Sequence, residues 1–549
     1  MKTLSRTVLT LFVLFFSCLA AIAGEVSFKI TRQYLNFPIS HKENRGRMTF
    51  EVNGKPDLSV VIRLAPDEAE YWVFKDVSAF KGKTIKITYD GNEKGLSKIY
   101  QSDEIEGQAE LYKEKNRPQF HFTTRRGWIN DPNGLIYYEG EYHLFYQHNP
   151  FERDWENMHW GHAVSKDLIH WTELPDALYP DHLGTMFSGS AVIDYGNTAG
   201  YNKGDTPAMI VAYTAAGPDK QVQCIAYSLD KGRTFTKYTN NPVIDSKHIW
   251  NSHDTRDPKI FWYTSGNHWV MVLNERDGHS IYTSPDLKSW KYESHVTGFW
   301  ECPELFELAV DGNPNNKKWV MYGATGTYML GSFDGKTFIP ESGKYFYTKG
   351  SLYAGQTYTN IPNSDGRRIQ IAWGRISHPS MPFNGMMLLP TELTLHTTKE
   401  GIRLFSNPIK ETKQLFTPLK KWASLTSDKA NDHLKEFRNA ETLRIKTTFK
   451  LSHATSAGID LFGQRILDYD MNANTINSVF YSPEDRNSME LTADIYIDKT
   501  SIEVFIDGGI YSYSMGRKAA NNNQDGIRFW GNNIAVKNLE IFSVKSIWN

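Results

Sequence analysis

Three carboxylates in this sequence of 549 residues stand in settings that could do nucleophilic or acid–base chemistry. The first is Asp131, in Trp128-Ile129-Asn130-Asp131-Pro132-Asn133-Gly134. Pro132 has a fixed φ and pushes Asp131 towards extended geometry, and Asn133-Gly134 turns tightly, so the carboxylate is held rigidly. Trp128 and Asn130 beside it offer an aromatic face and an amide, groups that suit a sugar ring. The second is Asp257, in Asp254-Thr255-Arg256-Asp257-Pro258, where an exposed Arg–Asp pair would read the same way. The third is Glu301, in Trp300-Glu301-Cys302-Pro303-Glu304-Leu305. An acid that follows a tryptophan among apolar neighbours is desolvated and held protonated, as a general acid must be. Glu304 competes for that role from the far side of Pro303. Two carboxyls of unlike environment flanking one bond are the minimum for glycoside hydrolysis, one ionised as nucleophile and one protonated as acid.

Acids this far apart in sequence meet only if a fold gathers them. A repeated phrase supplies that fold: Ser165-Lys166-Asp167 with Trp171, Ser228-Leu229-Asp230 with Phe235, Ser284-Pro285-Asp286 with Trp290, and Ser332-Phe333-Asp334 with Phe338. Each copy is a turn followed by an aromatic residue, with strand patterns such as Trp269-Val270-Met271-Val272-Leu273 upstream. The uneven spacing of these aspartates fits a β-propeller with loops of unequal length, five-bladed once a further blade is allowed before Ser165 or after Tyr353. The inner strands of such blades converge on one axial pocket. Ahead of it, alternating runs such as Thr84-Ile85-Lys86-Ile87-Thr88-Tyr89, separated by Asn53-Gly54 and Asp90-Gly91, predict a small β-sandwich over 24–115. Behind it, Leu443–Lys450 and Ser501–Gly509 predict a second sandwich over 424–549. The propeller itself is expected over 118–405, and 406–423, with Pro408 and several lysines, as a linker with a short helix. The fold class is therefore all-β.

Composition limits the partners. With 61 Lys+Arg against 62 Asp+Glu, no basic excess exists to neutralise phosphates, so nucleic acid and anionic membrane surfaces are not expected partners. Lys2 and Arg6 before the apolar stretch Val8–Phe16, then Ala21-Ile22-Ala23, read as a signal peptide over 1–23, and so as export to the periplasm, the cell surface or the medium. Cys18, after Phe15-Phe16-Ser17, offers lipid attachment as the alternative to simple cleavage. No other stretch is apolar enough for a transmembrane helix. Cys224 and Cys302 remain, and are expected as two buried thiols.

The sequence resembles glycoside hydrolase family 32, the invertase, inulinase and levanase family acting on β-fructofuranosides. The motifs that carry the resemblance are the 128–134 box, Arg256-Asp257-Pro258, Glu301-Cys302-Pro303, Phe187-Ser188-Gly189-Ser190 and Asn157-Met158-His159-Trp160-Gly161-His162, within a match over about 118–549. The family fold is a five-bladed propeller with a C-terminal sandwich; the region 25–115 falls outside it. The resemblance implies Asp131 as nucleophile, Glu301 as acid/base and Asp257 as the residue that holds sugar hydroxyls and stabilises the transition state. It also implies that Asn130, Gln147, Trp155, Phe187, Ser188, Arg256 and Trp373 line the fructose subsite. Packing between blades is the other reading of Trp155 and Trp373, and His159 and His162 are read as structural. The implied reaction is retaining hydrolysis of a neutral fructose-containing oligo- or polysaccharide, with no metal and no organic cofactor. The Phe187-Ser188-Gly189-Ser190 form favours exo attack. Endo attack, fructosyl transfer and, more distantly, non-catalytic carbohydrate binding are the alternatives.

Overall fold

The computed structural model describes residues 24–245, 250–451, 456–481, 490–518, 526–531 and 534–548. The leader reading of 1–23, Cys18 included, lies outside the described residues. Among the described residues no helix is long and apolar enough to cross a membrane. Cys224 and Cys302 are buried, free thiols.

The chain begins with two sheets. In one, Thr84–Tyr89 lies between Gly24–Lys29 and Gly46–Val52, with Lys55–Ile62 at the edge; in the other, Tyr34–Ile39 lies between Tyr71–Asp76 and Tyr100–Ser102. Alternation places one side of each strand inward: Ile85, Ile87 and Tyr89 join Leu35, Phe37, Met48 and Phe50 in a single core.

Five blades follow. Blade one is Gly127–Tyr138, Glu141–Asn149, His159–Ser165 and Trp171–Leu178. Blade two is Thr185–Asp194, Ala208–Ala216, Gln221–Ser228 and Thr236–Lys237. Blade three is Thr255–Tyr263, His268–Glu275, Gly278–Ser284 and Lys291–Thr297. Blade four is Glu304–Val310, Asn313–Tyr322, Thr327–Phe333 and Phe338–Phe346. Blade five is built from Leu352–Thr357, Arg368–Gly374, Thr391–Thr398 and Gly401–Pro408. First strands of the blades lie side by side around the axis, joined by bonds such as Ser190 Oγ to Pro258 O at 2.7 Å and Gln356 Nε2 to Gly189 O at 2.9 Å.

The repeated phrase occupies the same place each time, the turn from third to fourth strand. In blades one to three the serine hydroxyl donates to the aspartate two residues on, at 3.0, 2.7 and 3.1 Å. The same carboxylates accept backbone N–H groups of the turn, as Asp167 does from His170 N at 2.9 Å and Asp286 from Ser289 N at 2.7 Å. In blade four Asp334 accepts from Lys336 N and Thr337 N at 2.9 and 2.7 Å. These acids close turns, which is why they repeat.

The second sandwich holds a seven-stranded sheet, with Leu443–Leu451 between Glu490–Ile497 and Ile534–Val544, and a five-stranded sheet around Ser456–Leu461 and Gln464–Asp470. Stretch 406–423 departs from the sequence reading. Its start ends blade five, Lys410–Leu415 is a 3₁₀ turn, and Phe416–Thr426 is the edge strand of the seven-stranded sheet, paired with Ile534–Val544. The signals for a linker were Pro408 and several lysines, yet Pro408 is the last residue of the outer strand of blade five, paired with Thr391, and Lys420 and Lys421 stand on an edge strand, where lysine is tolerated. The helix comes later, at Ser427–Leu434, where Thr426 Oγ1 accepts from Lys429 N. His121 latches the propeller to this sandwich: it is buried with Nδ1 2.7 Å from Asp498 and Nε2 2.7 Å from Glu503. Burial pulls the imidazole down, but the bonds and charges of the two carboxylates outweigh it and raise it to about 9.

Candidate active site

Asp131, Asp257 and Glu301 each sit where an inner strand begins. Asp131 belongs to the first strand of blade one, and the pairing with Glu141–Asn149 jumps between Ile129 and Pro132, so Asn130 and Asp131 bulge out of the ladder. Asp257 opens the first strand of blade three, where the register jumps from Arg256 to Lys259 and the backbone at Asp257 is left-handed, φ +65°. Glu301 and Cys302, just before the first strand of blade four, are left-handed too, at φ +49° and +42°. Non-glycine residues pay strain in that region, and a fold keeps them there only when the surroundings demand it.

Cys302 joins the cluster. Its N–H donates to Asp257 Oδ2 at 3.0 Å, and its thiol lies 3.6 Å from Oδ2 of both Asp131 and Asp257. Burial, together with the charges of Asp257, Asp131 and Glu301, holds the thiol well above its ordinary range, so it stays a protonated donor.

Asp131 is fixed at both oxygens. Ser188 Oγ donates to Oδ2 at 2.7 Å and Asn130 Nδ2 to Oδ1 at 3.1 Å, while Trp128 Nε1 donates to Asn130 Oδ1 at 2.8 Å and so sets that amide's orientation. Burial raises the Asp131 carboxyl above its usual value, and the bonds from Ser188 and Asn130 oppose that rise. Burial raises Asp257 further, to about 7, with Arg256 opposing and the charges of Asp131 and Glu301 adding.

Glu301 does not have the apolar setting the sequence suggested. Arg256 donates to its Oε1 through Nε at 3.2 Å and Nη2 at 2.8 Å, Tyr353 donates its hydroxyl to Oε2, and Glu301 N donates to Asn274 Oδ1 at 2.8 Å. The tryptophan before it turns outward, 41% exposed, with the Arg256 guanidinium 5.7 Å from its ring. Glu304 is removed as a competitor: it is buried against Lys259 Nζ at 2.7 Å and accepts from Thr357 Oγ1 at 2.6 Å, a tie between blades three, four and five.

Of the expected sugar-contacting residues, Asn130, Ser188 and Arg256 touch the carboxylates directly. Phe187 packs edge-to-face with Trp155 at 5.9 Å, and Trp373 with Trp128 at 5.8 Å and Tyr353 at 6.3 Å. The Trp373 Nε1 hydrogen has no partner. Gln147 is buried and donates to Met186 O at 2.9 Å. With its amide turned to suit its neighbours, Asn133 accepts from Gln147 Nε2 at 3.0 Å and donates to Ser188 Oγ at 3.2 Å, which links Gln147 to Asp131 through two side chains. His162 Nε2 lies 3.0 Å from His143 Nδ1 and its ring stacks on Phe145 at 4.1 Å, inside blade one.

Sequence reasoning missed Tyr353, Asn274 and the bridging part of Cys302. Cys302 stood in a quoted motif, but nothing local tells which acids its thiol meets. Tyr353 and Asn274 come from other blades and carry no sequence signal.

The raised carboxyl of Asp257 makes a stability prediction. Its folded value lies above the ordinary 3.8, so folding is penalised by the ionised form. That penalty is absent below 3.8, grows as pH rises, and is complete above about 7. Asp257→Asn should therefore raise the thermal midpoint at about pH 8 and change it little at about pH 4. Calorimetry at the two values checks this; a variant less stable than the parent at the higher pH would contradict it.

Three carboxylates and a donor thiol converging at one end of the propeller axis, ringed by Trp128, Phe187, Tyr353 and Trp373, suit chemistry at a sugar's anomeric carbon. Comparison with known proteins agrees: residues 121–408 match the model of the glycosyl hydrolases family 32 N-terminal domain. The chain belongs to glycoside hydrolase family 32. It is 38% identical over 493 residues to a levanase of Bacillus subtilis, covering 80% of this chain and 72% of that protein. An extracellular exo-inulinase of Aspergillus niger is 32% identical over 475 residues, covering 72% and 88%. Among solved structures, exo-inulinase from Aspergillus awamori superposes with a TM-score of 0.69 at 28% identity, over 80% of this chain and 100% of that one. The β-fructofuranosidase of Schwanniomyces occidentalis complexed with fructosyl-erythritol gives 0.67 at 26%, over 79% and 99%. This protein is a glycoside hydrolase with the family's propeller and sandwich, and the matched family domain begins after its N-terminal sandwich.

Proposed function

We propose that this protein is a retaining β-fructofuranosidase that hydrolyses fructans such as levan or inulin, and sucrose, releasing fructose from chain ends. The observation that carries this reading is the single cluster of Asp131, Asp257, Glu301 and Cys302, with Asp131 pinned at both oxygens and Glu301 held from another blade. Glu301 gives its proton to the glycosidic oxygen while Asp131 attacks the anomeric carbon; the bond to the leaving sugar breaks and a fructosyl ester forms. Water then attacks that carbon and gives a proton to Glu301, Asp131 leaves, and fructose departs with its configuration retained. Asp257 accepts hydrogen bonds from sugar hydroxyls that tighten towards the transition state. Asn130, Ser188, Arg256, Phe187, Trp155 and Trp373 hold the fructose unit, with Gln147 acting through Asn133.

Exo attack is supported by the Phe187-Ser188-Gly189-Ser190 form and by the exo-inulinases among the relatives. Chromatography of the earliest products tests it. Levan and inulin should each yield fructose alone. A ladder of short oligosaccharides would mean endo attack, and longer oligosaccharides accumulating at high sucrose would mean transfer. Export through a leader at 1–23, with lipid attachment at Cys18 as the alternative, accords with relatives named extracellular.

A further inference from the structure

The N-terminal sandwich lies outside the matched family domain, yet its contacts concentrate on one loop of the propeller. That loop joins the second and third strands of blade one, and from Phe151 to Asn157 its residues are held in turn. Phe151 is buried in the sandwich core, its ring 6.1 Å from Phe37 and 6.2 Å from Phe50. Glu152, fully buried, accepts from Arg63 Nη1 at 2.6 Å. Arg153 N donates to Tyr71 Oη at 3.2 Å, and its guanidinium to Glu70 at 3.4 Å. Asp154 accepts from Arg63 at 2.9 Å and from Arg45 at 3.4 Å, and Glu156 from Arg45 at 3.3 Å. The Asn157 amide pairs with both backbone groups of Val61 at 2.8 Å, while Asn157 itself is left-handed at φ +48°.

Trp155 breaks this series. It is 49% exposed and turns to Phe187, whose neighbour Ser188 donates to Asp131. We infer that the N-terminal sandwich is a brace for this loop, and that Arg63 and Arg45 are positioning residues that hold Trp155 in place to meet the sugar. A long loop with a large exposed ring would otherwise have to be ordered by substrate, at a cost in affinity. A brace removes that cost before the sugar arrives. The inference rests on the reading of Trp155 as a sugar contact, and the test separates the two.

The experiment is a double-mutant cycle on the full chain, with steady-state kinetics on inulin and levan. Trp155→Ala should raise KM with kcat kept within about twofold, the mark of an interaction made equally with substrate and transition state. Arg63→Ala should raise KM about two- to tenfold with kcat likewise kept, Arg63→Lys should recover part of that loss, and Arg63→Ala should add nothing once Trp155 is alanine. Arg32→Ala, which breaks an exposed pair with Asp103 elsewhere on the sandwich, should leave KM unchanged. Removing Arg63 leaves Glu152 buried with Arg45 alone, so Arg45→Ala serves as the gentler variant and carries the same expectation if Arg63→Ala does not fold. An undiminished effect of Arg63→Ala in the Trp155→Ala background, an equal effect of Arg32→Ala, or an unchanged KM in the folded arginine variants would overturn the brace while leaving Trp155 as a sugar contact. An unchanged KM for Trp155→Ala would overturn both.

Discussion

Asp131→Ala should lower kcat on levan, inulin and sucrose by on the order of 10⁴-fold, with the fold intact. The argument is one of position. Two hydrogen bonds, from Ser188 and Asn130, leave the Asp131 carboxylate a single orientation, and Trp128 fixes the amide that makes one of them. A nucleophile aligned before substrate arrives meets the anomeric carbon without reorganisation, and alanine removes the attacking atom altogether. Stability should not fall, because the residue removed is a buried carboxyl whose burial raises it above its ordinary value, beside two further acids. Kinetics paired with calorimetry checks both halves; near-normal turnover would make the nucleophile assignment wrong.

Glu301→Gln should lower kcat on the same substrates by about 10²–10⁴-fold, the usual worth of a general acid–base group. Glutamine keeps the shape, its amide oxygen still accepts from Arg256 and its NH2 meets the Tyr353 oxygen as a donor, so what is lost is the proton and not the place. The loss should depend on the leaving group. An aryl fructoside, whose leaving group needs no proton, should form the fructosyl ester almost normally and then stall for want of a base. Azide needs no base to attack and should restore turnover, giving a fructosyl azide of retained configuration. A uniform loss across leaving groups, with no response to azide, would show that Glu301 has another part. Tyr353→Phe complements this test, since it removes the donor to Oε2 without touching the acid.

Much of this architecture was legible because its signals are local. A Ser-x-Asp turn closes a hairpin wherever it occurs, so four copies announced four blades, and Asp-Pro-Asn-Gly rigidifies whatever strand carries it. The three acids were found for the same reason: each lies beside a proline or a tryptophan that constrains it. What stayed hidden depends on contacts between distant segments. Nothing around Glu301 tells that Arg256 and Tyr353 reach it from other blades, and its sequence neighbours suggested a dry pocket that the fold does not make. Pro408 and the lysines after it read as a linker because tolerance of such residues at the end of a strand or on an edge strand depends on which strands lie at the edge. The docking of the N-terminal sandwich on 151–157 was equally silent, since Val61 is an ordinary strand residue and Arg45 and Arg63 merely flank strands until the loop of blade one is laid against them.

The central claim is a covalent fructosyl-enzyme on Asp131, and the most direct measurement is its capture. Glu301→Gln, mixed with an aryl β-fructofuranoside, quenched in acid and digested, should yield one peptide heavier by a single fructosyl group, with fragmentation placing the ester on Asp131. An adduct on Asp257 or another residue, or no adduct with inversion at the anomeric carbon of the first-formed product, would contradict it.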